Sequence, residues 1–153
     1  MENRALVILG SNRKNSLTES ITRKALGQMK FDMLDLLDHN IAHYNDDGHY
    51  PANDEFEAII NKALPYDTII FATPVYWYSM SGVMKVFFDR LTDLITIKKD
   101  LGRGLRGKTA SMVAVGADPT IPDGFETPFK HTAAYLGLQY RGCTYYATEP
   151  RTI

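Results

Sequence analysis

Two short segments concentrate the residues with chemistry to offer. Residues 10–16 read GSNRKNS and follow a short apolar run. Gly10 permits a sharp turn there. Ser11 and Ser16 bring hydroxyls, Asn12 and Asn15 bring amide donors, and Arg13 brings a planar cation. A helix starting just after them adds unpaired backbone N–H groups and a positive partial charge. That set suits a phosphate monoester. Local structure accounts for some of the same residues. Ser16-Leu17-Thr18-Glu19 has capping-box spacing, and Asn and Ser are ordinary turn residues. The segment matches neither G-x-x-x-x-G-K-[ST] nor G-x-G-x-x-G, which argues against a nucleoside triphosphate and against a dinucleotide bound in the Rossmann manner.

The second segment, Thr73 to Lys85, reads TPVYWYSMSGVMK. Tyr76, Trp77 and Tyr78 are consecutive, so the three rings cannot all face one core. Each also carries a polar tip that needs a partner when buried. One reading packs a single ring inward and leaves the other two as surface. The other makes the group a platform on which a flat ligand stacks.

The elements that must position these segments follow from periodicity. Arg4–Leu9 and Asp67–Thr73 are apolar, β-branched runs that read as buried strands. Phe31–Leu37, Thr109–Gly116 and Gln139–Ala147 complete five strands. Helical spacing covers Leu17–Met29, Asp54–Leu64 and Ser81–Ile95. Thr127-Pro128 as N-cap and first residue, with Gly137 as stop, frames a fourth helix. Asp38–Asn53 and Lys98–Lys108 read as loops. Strict alternation of strand and helix predicts a doubly wound α/β fold, with a five-stranded parallel sheet in the order 2-1-3-4-5. Ligands of such sheets bind beyond the carboxyl ends of strands 1 and 3, where the winding reverses. Both segments fall there. A phosphate site facing an aromatic platform fits flavin mononucleotide (FMN). Only residues 148–153 follow the fifth strand, too few for the helix that normally closes this fold. Uncovered apolar surface beside strands 1 and 5 is expected in its place.

The chain has 153 residues, which suits a single domain over 1–153. The net charge of −1 argues against a nucleic-acid partner. No apolar run approaches the ~20 residues of a membrane span, and the first residues show no secretory pattern. Cys143 is the one cysteine, so no internal disulfide can form. A cytoplasmic protein is expected.

The two segments together resemble the flavodoxin-like NAD(P)H-dependent FMN reductases. Gly10–Ser16 is similar to that family's G-S-x-R-x-x-S loop, and Thr73–Arg90 to its T-P-x-Y-x-x-S-x-x-G-x-x-K-x-x-x-D-R segment. Gly107-Lys108 and Leu136-Gly137-Leu138 add to the likeness. The resemblance implies that Ser11, Arg13, Asn15, Ser16, Leu17 and Thr18 hold the FMN phosphate. It implies that Pro74, Val75, Tyr76, Trp77 and Tyr78 border the isoalloxazine, with Gly116, Ala117 and Asp118 at its other edge. NADPH or NADH would give hydride to the flavin, and a quinone, flavin or similar small acceptor would take the electrons. No catalytic acid or base is required for the first step. The chain departs from some relatives in having no cysteine between Asp38 and Asn53, which excludes an iron–sulfur cluster there. It also has Val75-Tyr76-Trp77 where others carry Glu-Tyr-Asn.

Other features are open at this level. The Ser81–Ile95 helix carries an apolar band wider than one sheet contact needs, through Met84, Phe87, Phe88, Leu91 and Ile95 with Val83, Val86 and Leu94 beside them. It is either buried or the surface of a homodimer or higher homo-oligomer, which the resemblance favours. His39, His43 and His49 match no strong metal pattern, so no metal is expected. Tyr44 or Tyr50 could fold from their loop over the crevice. Cys143 reads as a core residue. A non-enzymatic flavodoxin-type electron carrier is the competing reading, and a scaffold that has lost its flavin is a third. The near-neutral charge and the charged Arg13-Lys14 loop favour the enzyme over the carrier.

Overall fold

The computed structural model describes residues 4–150. Five strands, β1 (Ala5–Leu9), β2 (Phe31–Asp35), β3 (Thr68–Pro74), β4 (Thr109–Gly116) and β5 (Gln139–Ala147), form one sheet in the order β2-β1-β3-β4-β5. Every pair is parallel. Five helices connect them: α1 (Leu17–Leu26), α2 (Phe56–Ala63), α3 (Gly82–Arg90), α4 (Lys99–Leu105) and α5 (Thr127–Leu136). The expected architecture and strand order are both present. Among the described residues no helix is long and apolar enough to cross a membrane.

Side-chain alternation along the strands builds two cores. On one face Leu6, Ile8, Ile69, Phe71 and Met112 meet Phe56, Met84, Phe87 and Phe129 of α2, α3 and α5. Phe88 bridges that core, its ring 5.1 Å from Phe71 and 5.0 Å from Phe129. On the other face Ala5, Val7, Leu9, Ile70, Ala72 and Val113 form a smaller core. No helix follows β5 as far as residue 150; residues 151–153 lie outside the described residues. The apolar gap expected there is not found. Ala5, Val7 and Leu9 are buried. The part of that face toward β5 carries Thr68, Thr109, Ser111, Arg141 and Thr144 instead, all at least partly exposed. Thr68 and Thr109 join their hydroxyls at 2.9 Å. A polar sheet face satisfied by water needs no covering helix.

Several elements differ at their ends from what periodicity predicts. Gly27 leaves the helical region with a φ of 52° and stops α1 at Leu26, three residues short of the expected end. The Asp35 carboxylate accepts the Leu37 N–H at 2.9 Å and turns the chain into a 3-10 turn over Leu36–Asp38, where the strand was expected to continue. The expected Ser81–Ile95 helix is α-helical to Arg90 and 3-10 over Leu91–Ile95. Its apolar band is mostly core: Met84, Phe87, Leu91 and Leu94 are buried, while Ile95 is exposed. Glu126, not Thr127, takes the N-cap position of α5, and Gly137 stops that helix with a left-handed φ of 78°.

The expected loop at Lys98–Lys108 contains α4. Its glycines signal close packing rather than flexibility. A Cβ on Gly102 would stand 2.2 Å from the Leu94 carbonyl oxygen, so only glycine lets α4 meet the preceding turn.

The polar loop at 39–53 is pinned from below. Arg90 is 2% exposed and holds Asp54 through two bonds at 2.7 and 2.8 Å, Asp93 at 3.0 Å and the Ala42 carbonyl at 2.9 Å. Tyr50 stacks on that guanidinium at 3.4 Å and donates its hydroxyl to Asp93 at 2.9 Å. Tyr50 is therefore committed to α3, and the expectation that it could fold over the crevice is not met. Tyr44 remains partly exposed.

Candidate functional site

The carboxyl ends of β1, β3 and β4 lie side by side, and the loop from each strand meets the next. Gly10 is the joint between the first two. Its N–H bonds the Ala72 carbonyl at 2.8 Å, and its carbonyl accepts the Ser81 hydroxyl at 2.5 Å. A Cβ there would stand 2.8 Å from the Met84 Cβ, so α3 packs against bare backbone. Ser81 also N-caps α3, accepting the Met84 N–H at 3.1 Å, and its own N–H goes to the Thr73 hydroxyl at 3.1 Å. Thr73 and Ser81 are thus buried framework.

In the first loop Ser11 and Ser16 are buried and residues 12–15 are exposed. Ser16 caps α1 by accepting the Glu19 N–H at 3.1 Å, as the capping-box spacing predicts. Lys14 is committed to structure. It bonds Asp35 at 2.8 Å and Asp38 at 2.6 Å, and these bonds push its pKa up to about 12. Arg13 is exposed and has no ion pair among the described residues. It is the cation left for a ligand. Leu17 and the buried Thr18 open α1, whose first turn has N–H groups without intrahelical partners.

The second loop is a tight reversal. Tyr76 and Ser79 exchange backbone bonds of 2.9 and 3.1 Å. Trp77 (φ 48°) and Tyr78 (φ 66°) occupy the two central positions in the left-handed region. A two-residue turn with positive φ at both positions normally selects Asn and Gly, and for other L-residues the left-handed region costs about 1–2 kcal/mol each. Here the strained positions carry the two most exposed rings of the loop, Trp77 at 93% and Tyr78 at 64%. Asn15, in the first loop, is the remaining non-glycine residue with positive φ among the described residues. All three therefore sit in these two loops. The loops touch: the Tyr76 hydroxyl donates to Asn12 Oδ1 at 2.7 Å.

The third loop starts at Gly116. Its carbonyl accepts the Thr148 N–H at 2.7 Å and the Thr148 hydroxyl at 3.1 Å, and the Tyr145 hydroxyl donates to the Asp118 carbonyl at 2.7 Å. Val75 N–H bonds the Val115 carbonyl at 2.8 Å and keeps the second and third loops together. Ala117 and Asp118 are exposed. Of the expected ring-bordering residues, Pro74 is the last residue of β3 and is buried. Asn12, Lys14, Tyr145 and Thr148 brace the site without having been singled out for that role. Only spatial adjacency reveals them, since their partners lie 21 to 64 residues away.

Other polar groups lie elsewhere. His39 faces Glu55 and His49 faces Asp47. No group of three or more metal-ligating side chains occurs among the described residues. Cys143 packs against the core, and burial pushes its thiol up to about 12, which keeps it protonated.

An unpaired arginine, the bare N–H groups of a helix start and two exposed rings on a strained turn fit a ligand with an anionic end and a flat end. The class defined by this fold and crevice is a flavodoxin-like α/β protein that takes a mononucleotide. Residues 3–149 match the NADPH-dependent FMN reductase family, and the chain belongs to it. It is an NAD(P)H-dependent flavin oxidoreductase whose cofactor is FMN and whose electrons go to a small-molecule acceptor. It is 29% identical over 145 residues to YwqN of Bacillus subtilis (strain 168), named as an NAD(P)H-dependent FMN-containing oxidoreductase, covering 89% of this chain and 80% of that one. Two solved structures share the fold. The Trp repressor binding protein from Bacillus subtilis superposes with a TM-score of 0.76 at 24% identity, covering 95% of this chain and 85% of that one. RosB, solved with bound 8-demethyl-8-formylriboflavin-5'-phosphate, gives a TM-score of 0.78 at 16% identity, covering 97% and 66%.

Proposed function

We propose that FMN spans the first two loops, with its phosphate at 11–18 and its ring against the Tyr76–Tyr78 turn. The observation that carries this reading is the confinement of left-handed non-glycine backbone to those loops, together with the exposure of Trp77. Strain of this kind persists where a ligand uses it. Arg13, Ser11, Asn15 and Ser16 meet the phosphate, and Leu17 and Thr18 contribute the N–H groups of the first helical turn. Val75, Tyr76, Trp77 and Tyr78 border the ring, Pro74 contributing only the end of β3. Gly116, Ala117 and Asp118 border its far edge, with Tyr145 and Thr148 holding that loop still.

Bound FMN supplies the hydride and electron chemistry. The residues named here supply position: the first loop anchors one end, the turn fixes the plane, and backbone N–H groups of the third loop favour negative charge on the ring edge. No side chain of the site is needed as an acid or base for hydride to reach the flavin. The donor is NADPH or NADH, and the acceptor is a quinone, a flavin or a molecule of similar size. We also place the protein in the cytoplasm as a homodimer or higher homo-oligomer using the Ser81–Ile95 segment. Exposed Ile95 at its end and exposed Ile97 just beyond it support that surface, sedimentation velocity would read the assembly, and cell fractionation would read the compartment.

The test is a spectrum. Protein incubated with FMN and desalted should keep the yellow colour and bleach when NADPH or NADH is added without oxygen. Bleaching by dithionite alone would overturn the reductase role and leave an electron carrier. Loss of all flavin on desalting would overturn the resident-cofactor reading.

A further inference from the structure

We infer that the hydrogen bond from Tyr76 to Asn12 is a positioning device, which sets the ring loop in register with the phosphate loop so that one ligand can reach both. The inference rests on the reading that FMN spans the two loops.

The loops are joined at two heights. At the roots, Gly10 is fixed by the Ala72 carbonyl and the Ser81 hydroxyl, both within the buried framework of β1, β3 and α3. Above the roots, the bond between Tyr76 and Asn12 is the one hydrogen bond connecting residues 11–16 with residues 75–80 among the described residues. It lies at the exposed end of both loops, where the framework no longer holds them.

Tyr76 is well placed to transmit position. Its backbone closes the reversal with Ser79, so Trp77 and Tyr78 move with it as one unit. Asn12 stands between buried Ser11 and unpaired Arg13. Fixing Tyr76 on Asn12 therefore fixes the exposed rings relative to the free cation. A ligand with two linked ends gains from this, because engaging one end raises the effective concentration of the other only if the spacing matches. Preorganisation of the two halves removes an ordering cost from the linked ligand. A ligand that uses one half gains less.

Tyr76→Phe keeps the ring and removes the donor, and Asn12→Ala removes the acceptor. Each should weaken FMN binding roughly fivefold to tenfold, the usual worth of one net hydrogen bond, and the double variant should be no weaker than either single one. The loss should be smaller for riboflavin, which lacks the phosphate, and smaller for inorganic phosphate, which lacks the ring. Titration of all four proteins with FMN, riboflavin and phosphate separates the outcomes. FMN affinity unchanged in Tyr76→Phe, additive losses in the double variant, or an equal loss for riboflavin would each overturn the positioning role. Wild-type protein that binds no FMN would instead sink the spanning reading, and this inference with it.

Discussion

Replacing Arg90 with methionine is expected to lower the unfolding free energy by about 3–5 kcal/mol at neutral pH, the usual result of removing one member of a buried ion pair. The guanidinium is 2% exposed and serves Asp54, Asp93 and the Ala42 carbonyl, with Tyr50 stacked on it. Methionine fills much of the volume but leaves buried Asp93 and half-buried Asp54 without a cation. The loss should depend on pH. In the native protein burial pushes the Asp54 carboxyl up, but the Arg90 bonds and the Ala42 and Phe56 N–H groups outweigh it and hold it below the ordinary carboxylate range. Its contribution is therefore complete above the unfolded value of about 4 and fades as pH falls through the lower folded value. In the variant Asp54 keeps its burial and loses the Arg90 bonds, so its carboxyl rises and its protonation relieves the folded state. Urea midpoints for the two proteins should lie far apart at pH 7 and converge toward pH 4. A gap that is small, or that does not change with pH, would show that the pair does not hold the 39–54 loop.

The second large effect lies in the site and runs in opposite directions for stability and binding. Trp77→Gly should leave the fold as stable as wild type or raise it by up to about 1 kcal/mol, because glycine accepts a positive φ without steric cost and gives back part of this through its freer unfolded chain. The same change should weaken FMN by roughly 5- to 150-fold, the worth of about 1–3 kcal/mol of stacking. Trp77→Ala separates the two terms, since alanine keeps the strain and loses the ring. It should match glycine in binding and fall below it in thermal midpoint. Equal midpoints for the alanine and glycine variants would show that the turn is unstrained. Unchanged FMN affinity would remove Trp77 from the site.

What the sequence discloses and what it conceals divide along a physical line. The strands, the two loops and the cap at Ser16 were legible because they rest on local periodicity and short-range hydrogen bonding, and the strand order followed from their alternation with helices. The Ile95 end of the third helix, the seven-residue α4 and the polar sheet face beside β5 were not. Arg90 and Asp93, where the α-helix gives way to the 3-10 turn, are held by partners dozens of residues away. The Gly102 contact with Leu94 looks in sequence like a loop signal. The sheet face is polar only because Thr68, Thr109, Ser111 and Thr144 alternate outward in register, which single-strand reading does not assemble. Within the site, residue types suggested a platform at 76–78, but the left-handed turn that presents it is a backbone fact. Tyr145, Thr148 and Asn12 carry no motif of their own.

The most direct measurement uses a property of the chain itself. Trp77 is its only tryptophan, and it is 93% exposed at the centre of the proposed ring platform. Intrinsic tryptophan emission therefore reports on the site alone. Free protein should emit as a solvated indole. Titration with FMN should quench that emission saturably at one flavin per chain, beyond the absorption effect measured on a free tryptophan derivative at matched absorbance. Emission that follows the free derivative throughout the titration would mean that no flavin reaches the Tyr76–Tyr78 turn, and the placement of FMN across the two loops would be wrong.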